Sequence, residues 1–396
     1  MHVCVAALQE LALATEQCRV GSIDPIGLDD LQHYPPVAGR FRPRPGRATR
    51  IGMESSVAIA ARRSALRTQT ICISLLVAAL AGLLYYKLDG SIRTLGTART
   101  TGKLAIAPSM LLEGGALHAT VAYFKKVWIA LAFGVVIGAL VRTLVSPGWI
   151  AGRLGTRGTK QSLAAAAAGA PLMLCSCCVT PVFTGVYARG ARLGPALSLM
   201  LAAPGLNVAA LALTFAIMPA RFALARLLAA LVIVLLVAPW LGGLHESSVA
   251  PRFPEPGSED EGSPASLREF GTRLAKNLLY MIVVTVPLVV VGVVLSGLAL
   301  PLALRPWAGA GFVAVAAVAA VATVVALPTF FEIPIATLLL QLGAPHAAAI
   351  AFLVAGPIVN LPSLLVLARE TRPRVAVSLA AAVFTVSTLV GVALGF

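Results

Sequence analysis

Charge is the scarcest property of this 396-residue chain. Only 12% of its residues are Asp, Glu, Lys or Arg, against about a quarter in a soluble globular protein. Acids are scarcer still, 16 against 31 Lys and Arg, and between Glu269 and Glu370 there is one, Glu332. The sequence offers no acid pair, no phosphate-cradling loop and no metalloprotease spacing, so it does not read as an enzyme. Histidine is also rare. His245 and His346 stand alone in loop-like stretches where solvation accounts for them. A structural zinc site needs four ligands, and no Cys or His pair lies near the cysteine cluster to complete one. No cofactor is implied. The start of the chain lacks a signal peptide's order of basic end, apolar centre and small-residue cleavage site.

What is abundant is apolar. The chain is 58% hydrophobic, with a mean hydropathy of +0.89, which is the composition of a multi-pass membrane protein whose partner is the lipid bilayer. A net charge of +15 does not make it a nucleic-acid binder. Eight arginines and a single acid, Glu54, lie from Arg40 to Arg67, and most other basic residues sit in short loops. That pattern fits an inner-membrane protein oriented by its cytoplasmic Lys/Arg excess, with a cytoplasmic N-terminus.

Apolar segments run at 70–86, 104–124, 126–145, 161–188, 193–217, 220–243, 274–300, 309–342, 346–368 and 374–396. The second carries Glu113 and His118 and is the weakest. A membrane span needs about 20 such residues, so the expected fold is an all-α polytopic membrane protein with about 8–10 transmembrane segments. Residues 1–67, rich in proline and arginine, read as a disordered basic extension. Of these, 1–52 look like an upstream stretch before a start at Met53. A polar, acidic linker at 244–272 then divides a first membrane half, 68–243, from a second, 273–396.

The halves repeat. Residues 181–207 align with 334–360 without a gap, matching Pro181 with Pro334, Thr184 with Thr337, Gly190 with Gly343, Pro204 with Pro357 and Asn207 with Asn360. Internal symmetry around Pro/Gly-interrupted segments is the mark of transporter folds and points to the substrate site. A broken helix survives in lipid only where protein or a water-filled cavity satisfies its backbone. The breaks at Pro171, Pro181, Pro204, Pro328, Pro334 and Pro357 are therefore expected to converge. If 161–188 is a re-entrant hairpin, the basic loops 142–160 and 189–192 share one side and the two repeats are inverted; if it crosses, they do not.

Three features carry the chemistry. Cys175, Cys177 and Cys178 fall in four positions of GAPLMLCSCCVTP. Thiolates are soft ligands, so these are the candidate substrate and metal ligands. On a helix Cys175 and Cys178 share a face and Cys177 does not, so convergence requires unwinding. Cys175 and Cys178 also have redox spacing, which leaves a membrane thiol/disulfide protein as the alternative. The second feature is Glu332. An intramembrane carboxylate is a functional hypothesis by default, and proton coupling competes with simple capping of a half-helix. The repeat places it opposite Val179. The third is Asn207 and Asn360, which either line the substrate path or satisfy backbone freed by the breaks. Thr184 and Thr337 read as helix back-bonders.

PLMLCSCCVTPV, followed by GARLGPALSLMLAAPGLN and FFEIPIATLLLQLGAPHAAAIAFLVAGPIVNLPSLL, resembles the ArsP/YraQ type of predicted permease over roughly 108–396. The resemblance implies export of trivalent organoarsenicals; with the Cys cluster and the symmetric breaks, the expected function is alternating-access efflux of a soft thiophilic solute, such as a trivalent organoarsenical or a soft metal ion. Cys175 and Cys177 fall on that family's cysteine pair, and Cys178 stands where it usually has glycine.

Overall fold

The computed structural model describes residues 70–71, 73–94, 96–97, 115–155, 158–245, 266–303 and 311–395. The extension at 1–67, Cys4, Cys18, Cys72, Glu113 and linker residues 246–265 lie outside them. Every regular element among the described residues is helical.

Helix α1 (Ile73–Thr94) and helix α2 (Gly115–Leu144) come first. In its described part the weak second segment is continuous with the third. The exposed Lys125 and Lys126 do not break α2, because lysine is a good helix former and its stem lies along apolar surface. Helix α3 (Pro147–Leu154) is capped by Ser146, whose hydroxyl accepts from Trp149 N at 3.3 Å.

The 161–188 segment is two short helices, α4 (Thr159–Gly169) and α5 (Ser176–Ala188). A 3₁₀ turn over Ala170–Leu172, containing Pro171, separates them. Next come α6 (Leu193–Gly205) and α7 (Val208–Ile217). Arg192 N donates to Leu154 O at 3.0 Å, and the Arg189 guanidinium donates to Arg142 O. The loops flanking the α4–α5 unit therefore lie together. From that end α4 runs along α6 until Gly169 meets Leu199, and α5 returns between α2 and α6. The unit is a splayed hairpin whose tip lies inside the bundle.

Helix α8 (Ala220–Val232) continues through a π turn, Ile233–Val237, into α9 (Ala238–His245). Ser198 Oγ donates to Val234 O within that turn at 3.0 Å. His245 is no free loop residue, since its Nε2 lies 3.0 Å from Ser378 Oγ; His346 is exposed beside Phe222. Helix α10 (Leu267–Ala303) opens the second half. The 309–342 segment again breaks in two, into α11 (Gly311–Ala322) and α12 (Glu332–Gln341). Last come α13 (His346–Ile358), α14 (Leu361–Glu370) and α15 (Pro373–Gly395). Helix α11 packs along α13, and Val324 O beyond its end accepts from Leu361 N at 3.0 Å.

Six helices among the described residues are long and apolar enough to cross a membrane: Ile73–Thr94, Thr120–Leu144, Leu193–Ile217, Ala220–His245, Leu267–Ala299 and Pro373–Gly395. The pair α13–α14, bent by 43°, makes a seventh. The broken units α4–α5 and α11–α12, with the described part of the second segment running on into the third, account for the larger number expected from hydropathy.

The two Pro-x-x-Asn breaks are one device used twice. Pro204 and Pro357 sit in the last turns of α6 and α13. Three residues on, an asparagine caps the next helix. Asn207 Oδ1 accepts from Ala209 N and Ala210 N, both at 3.1 Å. Asn360 forms a reciprocal capping box with Ser363, at 3.0 and 3.1 Å. The matched glycines have a physical reason too. Gly190 and Gly343 have φ of 92° and 82°, the left-handed region that glycine enters without strain.

Candidate functional site

The hairpin tips and both Pro-x-x-Asn breaks meet at one small pocket. It is lined by Leu174, Cys175, Pro204, Asn207, Leu327, Pro328, Thr329, Glu332, Gly356 and Pro357. Among the described residues only two non-glycine residues have positive φ, Met173 at 48° and Phe330 at 79°. Each stands two residues before a pocket residue, Cys175 or Glu332. Left-handed backbone at a bulky side chain costs about 1–2 kcal/mol, and such strain gathers at functional sites. The tips thus pair Cys175 with Glu332. Sequence alignment had put Glu332 opposite Val179. The difference is about one helical turn, because Pro181 is the sixth residue of α5 and Pro334 the third of α12.

The three thiols converge without unwinding of α5 itself. Cys175 lies just outside the helix as its N-cap, with extended φ −72° and ψ 162°. Its side chain therefore swings back over the first turn, where Cys177 and Cys178 sit. The Cys175 Sγ lies 2.9 Å from Cys178 Sγ and 3.3 Å from Cys177 Sγ, and the remaining pair is 3.8 Å apart. All three are free thiols and buried. Cys177 and Cys178 are sealed off, and only Cys175 reaches the pocket.

Two partners of this triangle were invisible in the sequence. Tyr123 of α2, itself buried, places its Oη 2.7 Å from Cys177 Sγ. Thr180 donates to Cys177 O at 2.7 Å. That carbonyl would bond the backbone N–H four residues on, but proline at 181 has none. Helix α2 approaches closely through glycines. A Cβ at Gly134 would overlap Cys178 O, and one at Gly138 would overlap Pro181 O. Small residues at this spacing let helix backbones touch in lipid.

Glu332 is not a lone carboxylate. Its Oε1 accepts from Arg226 Nη2 of α8 at 2.8 Å, with both side chains almost completely buried. Arg226 Nη1 also donates to Thr214 Oγ1 at 3.2 Å, while its Nε has no partner among the described residues. The sequence held a signal for Arg226. The default reading of an intramembrane charge applied to Glu332 applies equally to an arginine within a span of twenty-six residues, Ala220–His245.

Of the remaining sequence candidates, Asn207 lines the pocket and also donates to Met173 O at 3.4 Å, tying α7 to the first tip. Asn360 is buried as a helix cap and is not among the lining residues. Pro204, Pro328 and Pro357 line the pocket; Pro181 and Pro334 do not break their helices but lie inside α5 and α12, about one and a half turns beyond Cys175 and half a turn beyond Glu332, and Pro171 is exposed. Thr337 back-bonds to Pro334 O at 2.8 Å. The buried Thr184 hydroxyl has no partner among the described residues, so it is not the back-bonder expected.

A multi-span helical bundle with two broken hairpins meeting at a buried polar pocket is the build of a membrane transporter. The chain belongs to the predicted permease family ArsP_1, whose sequence model matches residues 113–396. It is 30% identical over 335 residues to UPF0718 protein YraQ of Escherichia coli (strain K12), covering 80% of this chain and 93% of that one. It is 26% identical over 162 residues to UPF0718 protein MJ0584 of Methanocaldococcus jannaschii, covering 40% of this chain and 44% of the relative. No solved structure matches.

Proposed function

We propose that the chain exports a soft, thiophilic solute by alternating access, with Cys175, Cys177 and Cys178 taking the cargo and Glu332 coupling protons. The observation that carries this reading is the thiol triangle, whose three sulfurs lie within 4.8 Å of one another beside the pocket. Thiols favour soft metals and metalloids. A trivalent monoorganoarsenical suits a membrane interior, because two thiols of the triangle each replace one of its two hydroxides on arsenic. A sulfur–arsenic bond forms, a water leaves, and no net charge remains. A dication held by three thiolates would leave a buried negative charge, which is costly there.

The proposal includes an inverted relation between the halves, 68–243 and 273–396. At one end His245 meets Ser378. At the other, Gly395 lies against Ala347. The helix between Ser378 and Gly395 advances about 25 Å, so α9 ends and α13 begins at opposite ends of the bundle. Gly194, at the start of α6, lies against Gly242 of α9, and this supports mouths of the two hairpins at opposite ends. The first mouth gathers Arg142, Arg153, Lys160, Arg189 and Arg192. By the positive-inside tendency that face is cytoplasmic, which agrees with a cytoplasmic N-terminus in a cell inner membrane.

The 2.9 Å separation of Cys175 and Cys178 sulfurs also suits a thiol/disulfide couple, which would need them to close to about 2.05 Å. Burial argues against it, because a protein partner must reach sulfurs that lie inside the bundle. A sensitive host expressing the chain should tolerate methylarsenite or phenylarsine better than the empty host, and Cys175→Ser with Cys177→Ser should abolish the gain. Absence of protection by the wild-type chain against any thiophilic agent would overturn the cargo reading.

A further inference from the structure

The proposed function leaves one buried charge without a task. Arg226 is 1% exposed and lies within an apolar helix of the first half. An arginine at membrane depth is retained only where it is paired and functional. Its partner, Glu332, belongs to the second half and starts the half-helix α12 at the pocket. One carboxylate therefore serves two neighbours: the pocket that Cys175 also lines, and a guanidinium on the opposite half. Removing one partner of a buried pair leaves the other charge uncompensated, so a change at Glu332 is felt at α8.

We propose that the Arg226–Glu332 pair is the latch that joins the two halves while the site is closed, and that protonation of Glu332 from the pocket opens it. The step balances simply. A hydronium ion in the pocket gives its proton to the carboxylate and leaves as water. Arg226 then keeps only Thr214, with its Nε already unpartnered. The second tip is released from α8, and Cys175 becomes accessible. The groups facing Glu332 are few. Arg226 is the charge opposed to it, and Cys175 is the other titratable group lining the pocket. Helix α13, packed along α12, carries only His346, at the end remote from Glu332. This inference rests on the permease reading but not on which cargo is carried.

The test labels the full chain in lipid vesicles with a maleimide and follows modification of Cys175 by tandem mass spectrometry. Glu332→Gln, an uncharged near-isostere, should speed labelling of Cys175 about tenfold over wild type, within the range of a coupling between sites. Arg226→Gln should do the same, and Arg226→Lys, which keeps the charge, should label close to the wild-type rate. The ratio of Glu332→Gln to wild type should fall toward one in acid, where the wild-type carboxylate takes its own proton. A structural defect alone would not give that convergence. Labelling of Glu332→Gln within twofold of wild type at neutral pH, or a ratio independent of pH, overturns the latch. Failure of the cargo reading leaves this result untouched, because the only reagent is the maleimide.

Discussion

Replacing Gly134 by alanine should disturb the thiol site from a helix that contributes no thiol. The α2–α5 crossing has no room for a methyl group, because a Cβ at Gly134 would overlap the carbonyl oxygen of Cys178. Carbon contacts are ordinary near 3.5–4.0 Å, so the helices must part by about 1 Å. Overpacking of this kind costs roughly 1–3 kcal/mol. The displacement reaches the sulfurs directly, since Cys178 lies in the first turn of α5. It also stretches the 2.7 Å contact between Tyr123 and Cys177, because Tyr123 lies on the same face of α2 three turns before Gly134. The control is Gly152→Ala in α3, where an added Cβ meets nothing within 4 Å. Removing that glycine from a helix should be neutral or stabilise by up to about 1 kcal/mol. Thermal unfolding in detergent and arsenical tolerance in cells measure the two effects. Gly134→Ala with the control's melting temperature and full tolerance would refute the close crossing and its role in placing the thiols.

Two further substitutions probe the frame around the site. Asn360→Ala removes the side-chain half of the capping box on α14, while the residue-360 N–H can still donate to Ser363 Oγ, and should lower stability by about 1 kcal/mol in the same melting assay; Cys175 labelling stays near wild type because Asn360 does not line the pocket. Gly343→Ala places a side chain at φ 82° and should destabilise by roughly 1–2 kcal/mol; a neutral result would show that the loop between α12 and α13 adopts another conformation.

Much of this arrangement was legible because lipid permits so little. Scarce charge and long apolar runs left only a helical bundle, and the Pro204/Asn207 and Pro357/Asn360 pairs marked where two of its helices break, whereas Pro181 and Pro334 lie within theirs. The thiol cluster was conspicuous for the same reason. Its geometry was not, since it depends on Cys175 lying just outside α5 rather than within it. The partners that complete the site come from distant helices. Tyr123 reads as one aromatic in an apolar stretch, and Gly134 as one glycine among 35. Arg226 was hidden by abundance: in a chain with 31 Lys and Arg, one more arginine drew no notice, although its place within a span set it apart. Register was the other failure. An ungapped alignment follows the prolines, whereas the backbone at the two tips is set by Met173 and Phe330, whose left-handed conformation no sequence pattern announces.

The most direct test of the central claim is transport itself. Everted membrane vesicles containing the chain should accumulate methylarsenite or phenylarsine in preference to hard cations, more strongly with an imposed pH gradient, and Cys175→Ser should remove the accumulation. Equal movement of thiophilic and hard solutes, or full accumulation by the Cys175→Ser chain, would contradict the account of a thiol-lined permease site between two hairpin tips.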